Sequence, residues 1–168
     1  MKLAKNITFV LPFENDEDSI AETVKRLNQC ARWFFEDFEI LAVAVESSDN
    51  SFALLSLLKR TIPNLKPTVS DRGDLAKHAQ LNARSAKICY LKSIKELEEM
   101  SLIGLLEEAK KACQERGLHV GNGFTLCCKS GNHKEFLPRV KRKNKPPFLS
   151  KFTQAFRKLT SLEVEHIS

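Results

Sequence analysis

The side chains that could bind a ligand or a metal ion follow three apolar runs, at residues 7–11, 38–45 and 87–91. Asn15 and Asp16 come after the first run, Ser47 and Asp49 after the second, and Lys92 directly after the third. They offer amide, hydroxyl and carboxylate oxygens that accept hydrogen bonds, and one ammonium group that can bind a phosphate as a point charge. Whether they act together depends on how the fold arranges the ends of the three runs.

Each of the three runs is typical of a buried strand, and Pro12 is expected to end the first. Apolar residues with helical spacing lie between them. The pattern also predicts a weaker strand, one long helical region and two short strands, over residues 66–70, 94–117, 118–120 and 124–128. The order βαβα(β)αβαβ predicts an α/β fold with a mostly parallel sheet flanked by helices. Since ligands bind outside the carboxyl ends of such strands, the loops after the three runs should share one edge.

Three blocks of the sequence resemble the first half of the family 2 glycosyltransferases, which include dolichyl-phosphate and polyprenyl-phosphate sugar transferases. Residues 7–12 and 15–17 (Asn-Asp-Glu) are similar to the family's opening strand and its Pro-x-Tyr-Asn-Glu turn. Residues 38–51 are similar to the strand that leads to Asp-Asp-Gly-Ser-Thr-Asp. Residues 83–91 are similar to the Ala-Arg-Gly-Asp stretch and the strand that ends in Asp-x-Asp.

The resemblance implies a GT-A-like nucleotide-diphospho-sugar transferase fold over residues 1–137, in a shortened form. It also implies a nucleotide or nucleotide-sugar as ligand. The rim of that pocket would be built from Pro12, Asn15, Asp16, Glu46, Ser47, Asp49 and Lys92.

The acidic residues of the family pattern are missing at two places. Ala44 and Val45 stand where the family has the aspartate pair that contacts the nucleotide base. Lys92 and Ile94 stand where Asp-x-Asp holds a divalent cation against the diphosphate. A hard cation needs oxygen ligands, which isoleucine lacks, and a lysine would repel it. We therefore predict a glycosyltransferase-like protein without normal metal-dependent sugar transfer and without catalytic residues. Manganese or magnesium is expected only under the alternative of an active enzyme with an atypical site.

Residues 138–168 differ in character from the rest. Five basic residues are followed by two prolines and then by apolar residues at helical spacing, among them Phe148, Phe152 and Phe156. The predicted anion-binding residues are Arg139, Lys141, Arg142, Lys143, Lys145 and Lys151. An alternative function is thus an interaction module that binds an anionic membrane surface or a protein partner. The apolar face could equally pack on the domain or form a homo-oligomer, whereas nucleic acid is disfavoured.

Composition is ordinary for a globular domain, with 42% hydrophobic and 29% charged residues, and the formal charge is +6. The N-terminus resembles neither a signal peptide nor a membrane span. Five cysteines in no regular framework predict free thiols in a reducing compartment. A cytoplasmic protein is expected, with the inner face of a membrane as a peripheral location. A zinc site from Cys127, Cys128, His119 and His133 lacks the usual paired spacings.

Overall fold

The computed structural model describes residues 6–70, 75–98, 101–115 and 118–128, and these contain six strands and five helices. The strands are β1 (Ile7–Phe13), β2 (Phe38–Ala44), β3 (Leu65–Val69), β4 (Lys87–Leu91), β5 (His119–Val120) and β6 (Phe124–Cys128). The helices are α1 (Ile20–Ala31), α2 (Ser51–Leu58), α3 (Leu75–Asn82), α4 (Ile94–Glu98) and α5 (Leu102–Ala112).

The strands form one sheet in the order β3-β2-β1-β4-β6-β5. The first four strands are parallel to one another, while β6 runs antiparallel to β4 and β5 runs antiparallel to β6. The predicted α/β fold, with a mostly parallel sheet flanked by helices, is confirmed. The strand predicted over residues 66–70 and the two predicted over 118–120 and 124–128 are present to within one or two residues at each end.

Helices cover both faces of the sheet and leave the central strands buried. Residues of α1, α2, α4 and α5 share the main core with one face of the sheet, whereas α3 packs on the other face. Phe9 lies in the main core, with its ring 5.3 Å from that of Phe35 and 6.2 Å from that of Phe38, both edge to face. Every residue of β2 is buried, as expected for a parallel strand covered on both sides.

Strand β1 continues through Pro12 to Phe13, so the prediction that Pro12 ends it is wrong. The carbonyl of Phe13 accepts a hydrogen bond from the N–H of Val45, so Phe13 bonds toward β2. Because backbone groups alternate sides along a strand, the nitrogen of Pro12 faces β4. Pairing of β1 with β4 ends at Val10, so no ladder bond is lost at the proline.

The single helical region predicted over residues 94–117 is also wrong, because the chain forms two helices there, α4 and α5. Ser101 has an extended backbone, and its hydroxyl accepts a hydrogen bond from the N–H of Gly104 at 3.3 Å. This N-cap starts a new helix at Leu102. Leucines continue across the break, so apolar periodicity alone did not reveal it.

A buried carboxylate joins β1, β2 and the segment before β4 at the amino edge of the sheet. Glu39 accepts hydrogen bonds from the hydroxyl of Thr8 and from the N–H of Arg84, both at 2.9 Å. The N–H of Ser85 donates in turn to the hydroxyl of Thr8 at 3.2 Å. Since Glu39 is buried, these bonds replace the water that its carboxylate would otherwise need.

Candidate functional site

Two loops meet at the carboxyl edge of the sheet, as predicted. The first loop (residues 14–19) follows β1 and the second loop (residues 45–50) follows β2. Strands β1 and β2 are parallel neighbours, paired in register from Ile7↔Phe38 to Phe13↔Ala44. Their loops therefore leave the sheet side by side, and the end of β4 lies on the other side of β1.

Asp49 is the centre of the contact between the loops. One carboxylate oxygen accepts hydrogen bonds from the hydroxyl of Ser47 (2.9 Å) and the N–H of Ser51 (3.0 Å). The other oxygen accepts from the hydroxyl of Ser51 (2.8 Å) and the N–H of Glu17 (2.9 Å). The four bonds use the acceptor positions of both oxygens within the chain itself.

Hydrogen bonding also lowers the pKa of Asp49. Burial alone would raise the pKa of this carboxyl, but hydrogen bonds from Ser51, Glu17 and Ser47 outweigh it and lower the pKa from 3.8 to about 2. The side chain is therefore ionised at neutral pH, and its negative charge is directed toward donors of the two loops.

Asn15 joins the first loop to the second through three further hydrogen bonds. Its N–H donates to the hydroxyl of Ser47 at 3.0 Å, and its side-chain oxygen accepts from the N–H of Ser48 at 2.9 Å and from the hydroxyl of Ser48 at 3.2 Å. Asn15 and Glu46 both have left-handed backbones, with φ of 51° and 55°. Asparagine tolerates that conformation well, whereas glutamate adopts it less readily.

Two more contacts complete this network. The N–H of Asp16 donates to the hydroxyl of Ser51 at 3.0 Å, and the side chain of Glu17 accepts from the N–H of Asn50 at 3.0 Å. Six hydrogen bonds thus join residues 15–17 to residues 47–51. We call this set of bonds the clasp. Of the predicted rim residues, Asn15, Asp16, Ser47 and Asp49 all belong to it.

The other predicted rim residues lie around the clasp. Pro12 is half-buried within β1, and Glu46 is exposed at the start of the second loop. Lys92 lies at the end of β4, where its ammonium forms an ion pair with Glu96 at 3.1 Å and its N–H donates to the carbonyl of Gly123 at 3.2 Å. The bonds of Lys92 lead to α4 and to the start of β6, and the bonds of the clasp do not include it.

Glu17, Ser48, Asn50 and Ser51 were missed as members of the site. Part of the signal was present in the sequence, since an Asp two residues before a Ser is a common arrangement for a turn in which the carboxylate accepts the N–H two residues on. The bonds from Glu17 and Ser48 join residues more than 30 positions apart, and no local pattern predicts them.

Two of the four positions at which the resemblance implies acids are structural. Ile94 is completely buried in the main core at the start of α4, and Ala44 is 3% exposed at the end of β2. Among the described residues, no three side chains of His, Cys, Asp or Glu are grouped so that they could hold a metal ion. The residues at the Asp-x-Asp positions, an apolar core side chain and an ion-paired lysine, do not fit a divalent cation.

Two other predictions concern cysteines and membranes. Cys30, Cys89, Cys113 and Cys127 have free thiols, as predicted, and burial raises the pKa of Cys89 well above its usual value. None of the described helices is both long enough and apolar enough to cross a membrane. The predicted anion-binding residues between Arg139 and Lys151 lie outside the described residues, as do the predicted C-terminal helix and the boundary at residue 137.

Comparison with known proteins gives a limited result. No protein-family model matches the chain, and no curated protein matches it. Among solved structures, the chain is similar to residues 1–349 of TarS from S. aureus, at 17% identity and a TM-score of 0.42, over 61% of this chain and 32% of that one. It is also similar to the same part of S. aureus TarS in complex with UDP-GlcNAc, at 18% identity and a TM-score of 0.40, over 61% and 31%. The chain thus spans about a third of these structures.

Proposed function

We propose that this chain is a glycosyltransferase-like protein that does not perform metal-dependent sugar transfer, and whose carboxyl-edge loops form the rim of a metal-independent nucleotide pocket. The observation that carries the proposal is a division among the residues that match the family motifs. Those that are kept, Asn15, Ser47 and Asp49, hold two loops together through the clasp. Of those that are changed, Ala44 and Ile94 belong to the hydrophobic core. Val45 is half-buried, and Lys92 is ion-paired with Glu96.

The division separates the residues that fix the shape of the site from the positions that would hold a metal ion. The clasp fixes the two loops through bonds within the chain, so the shape of the edge needs no bound ligand. A carboxylate that should hold a cation must keep free oxygen positions, and Asp49 has given its oxygens to Ser47, Ser51 and Glu17. The loops are thus built to present backbone and side-chain groups around them, and in the described part of the chain no three His, Cys, Asp or Glu side chains are grouped to hold a metal ion.

The charges on the two loops at the carboxyl edge decide which part of a nucleotide can bind there. Glu14, Glu17 and Glu46 are exposed on the two loops, and Asp49 carries its negative charge at neutral pH. Lys92 can face a phosphate only in competition with Glu96. Because carboxylates repel a diphosphate, recognition should depend on the nucleoside more than on the phosphates. We expect uridine and UDP, or guanosine and GDP, to bind with affinities within about tenfold of each other.

The proposal is tested by calorimetric titration of the full chain with UDP, GDP, UDP-GlcNAc and uridine, with manganese and with EDTA. Binding of at least one nucleotide is expected, with a dissociation constant that changes by less than about tenfold between the two conditions. A tighter metal-dependent complex would restore the metal-binding enzyme as the better interpretation. No binding by any of the four would contradict the pocket.

A matched pair of variants tests the place of Lys92. Lys92→Gln should weaken UDP by about fivefold at most, since a single exposed ion pair is worth about 1 kcal/mol or less, and it should leave uridine unchanged. Lys59→Gln removes the same charge from an exposed position just after α2, at the opposite edge of the sheet. It should change neither ligand. Equal effects of the two variants would mean that Lys92 acts only through the net charge of the protein.

A further inference from the structure

The outer surface of α2 is apolar although it faces solvent. Six of the eight residues of this helix are apolar, and only Ser51 and Leu55 are buried. Phe52 and Leu57 are 37% and 59% exposed, and Ala53 is exposed beside them. A surface helix of a globular domain normally turns charged and polar residues to water. An exposed apolar surface rimmed by polar residues instead marks a site that binds a protein or a membrane.

Helix α1 extends this surface. Because β1, β2 and β3 are parallel, α1 and α2 both run from the carboxyl edge of the sheet back to its amino edge. The two helices contact each other and share the main core, so their outer sides form one continuous surface. Trp33 follows α1 at the amino-edge end of this surface, and 67% of it is exposed. The surface therefore carries a large aromatic side chain at the end toward which the last turn of α2 also points.

The charged groups of this surface all have the same sign. No acid occurs between residues 23 and 33 or between residues 51 and 64. Exposed acids lie around it, with Glu22 and Glu36 before and after these residues of α1, and Glu107 and Glu108 on the neighbouring helix α5. The exposed charged residues within the two segments are five bases, Lys25, Arg26, Arg32, Lys59 and Arg60. We call these bases together with Trp33, Phe52, Ala53 and Leu57 the α1–α2 face.

An anionic bilayer fits the α1–α2 face better than a protein surface does. Lysine is depleted at protein–protein interfaces, and two copies of this positively charged face would repel each other. At a bilayer, tryptophan lies at the level of the headgroups, and phenylalanine and leucine reach the boundary with the acyl chains. Each lysine or arginine near an anionic leaflet strengthens binding by about fivefold.

We propose that the α1–α2 face binds the surface of anionic phospholipid bilayers. Trp33, Phe52 and Leu57 then lie at the boundary between headgroups and acyl chains, and the five bases lie against the headgroups. This surface belongs to the α/β domain and is separate from the basic residues between 139 and 151 that the sequence predicts to bind anions. The proposal does not depend on the nucleotide pocket, because the face lies on one side of the sheet and the pocket at its carboxyl edge.

Trp33 is the only tryptophan of the chain, so its fluorescence reports directly on this face. The experiment mixes the full chain with vesicles of phosphatidylcholine and phosphatidylserine, and with vesicles of phosphatidylcholine alone. Binding is measured by cosedimentation and by the blue shift of the Trp33 emission.

A matched pair of double variants locates the contact. The test variant carries Leu57→Gln and Lys59→Gln, at the end of α2. The control carries Leu81→Gln and Lys77→Gln, which change the same residue types on α3, on the other face of the sheet. Leu81 is 74% exposed and Lys77 is exposed. Since all four side chains are exposed, both variants should keep the urea midpoint of the natural protein.

The natural protein should bind the phosphatidylserine vesicles with a blue shift of Trp33, and added salt should weaken this binding. The α2 variant should bind at least about tenfold more weakly, and the α3 control should bind as the natural protein does. Vesicle binding without a shift of Trp33, or binding weakened equally by both variants, would place the contact elsewhere in the chain and overturn the proposal. Absence of binding to either kind of vesicle would overturn it too, and a dimer that the α2 variant alone loses would then identify a second copy as the occupant of this face.

Discussion

Replacing Ile94 by aspartate tests whether this position, at which the resemblance implies an acid, is part of the core. The side chain is completely buried in the main core. Truncating a buried isoleucine costs about 2–5 kcal/mol, which includes the cavity left behind. A carboxyl group without partners in an apolar site adds about 1–3 kcal/mol. Ile94→Asp should therefore lower the free energy of unfolding by about 3–8 kcal/mol, a large part of the 5–15 kcal/mol typical of a domain.

Urea unfolding followed by far-UV circular dichroism measures this loss, and two controls define its origin. Ile94→Val keeps an apolar side chain and should cost only about 0.5–1.5 kcal/mol. Lys92→Asp introduces the same carboxylate two residues earlier, at a side chain that is 25% exposed and ion-paired with Glu96. The loss of that pair should cost about 1 kcal/mol or less.

The pH dependence of the stability of Ile94→Asp shows whether the new carboxyl group is buried. Burial raises the pKa of a carboxyl group, so the folded Ile94→Asp protein binds its proton more tightly than the unfolded chain does. The destabilisation relative to the natural protein should thus be smaller at pH 4 than at pH 7. A variant within about 1 kcal/mol of the natural protein at pH 7 would refute the placement of Ile94 in the core. So would a Lys92→Asp, Ile94→Asp protein that stays folded and binds UDP more tightly with manganese.

Three further substitutions probe the clasp and two glycines. Because hydrogen bonds lower the pKa of Asp49 to about 2 from 3.8, its stabilisation is complete above pH 3.8 and is lost as the pH falls toward 2. Asp49→Asn should lower the melting temperature at pH 7 and reduce the difference in melting temperature between pH 5 and pH 2; an unchanged difference would contradict the role of this carboxylate. Gly121→Ala should destabilise by about 1–3 kcal/mol in urea unfolding, because its Cβ would lie 2.1 Å from the ring of Phe124. Gly104→Ala, whose Cβ would lie 3.7 Å from the hydroxyl of Ser101, should stabilise α5 by about 0.5–1 kcal/mol. If both glycine variants changed the free energy of unfolding in the same direction, the space around each glycine would not explain the effect.

The order of elements could be predicted because each strand carries its own signal. Runs such as residues 38–44 are apolar throughout, and a parallel sheet buries them on both faces. The apolar pattern could not predict features that depend on contacts with other parts of the chain. Pro12 stays within β1 because the neighbouring strand has already ended, and the break before Leu102 depends on one hydroxyl of Ser101.

The same distinction explains what could be predicted of the site. Parallel strands bring their following loops to one edge, so the proximity of Asn15, Ser47 and Asp49 followed from the order of elements. Their bonding partners did not follow, because a carboxylate in a loop can face a ligand, a metal ion or its own backbone. Only the distances from Asp49 to the donors of Ser51 and Glu17 decide that it faces the chain.

This arrangement makes the proposed absence of metal-dependent catalysis compatible with an intact fold. A carboxylate at position 94 would have to stay near solvent and a cation, whereas isoleucine at that position adds to the core beneath α4. The clasp needs neither, since its bonds run between residues 15–17 and 47–51. An apolar side chain at position 94 therefore leaves the shape of the carboxyl edge in place. A carboxylate at position 94 would instead place a charge in the core, which is costly.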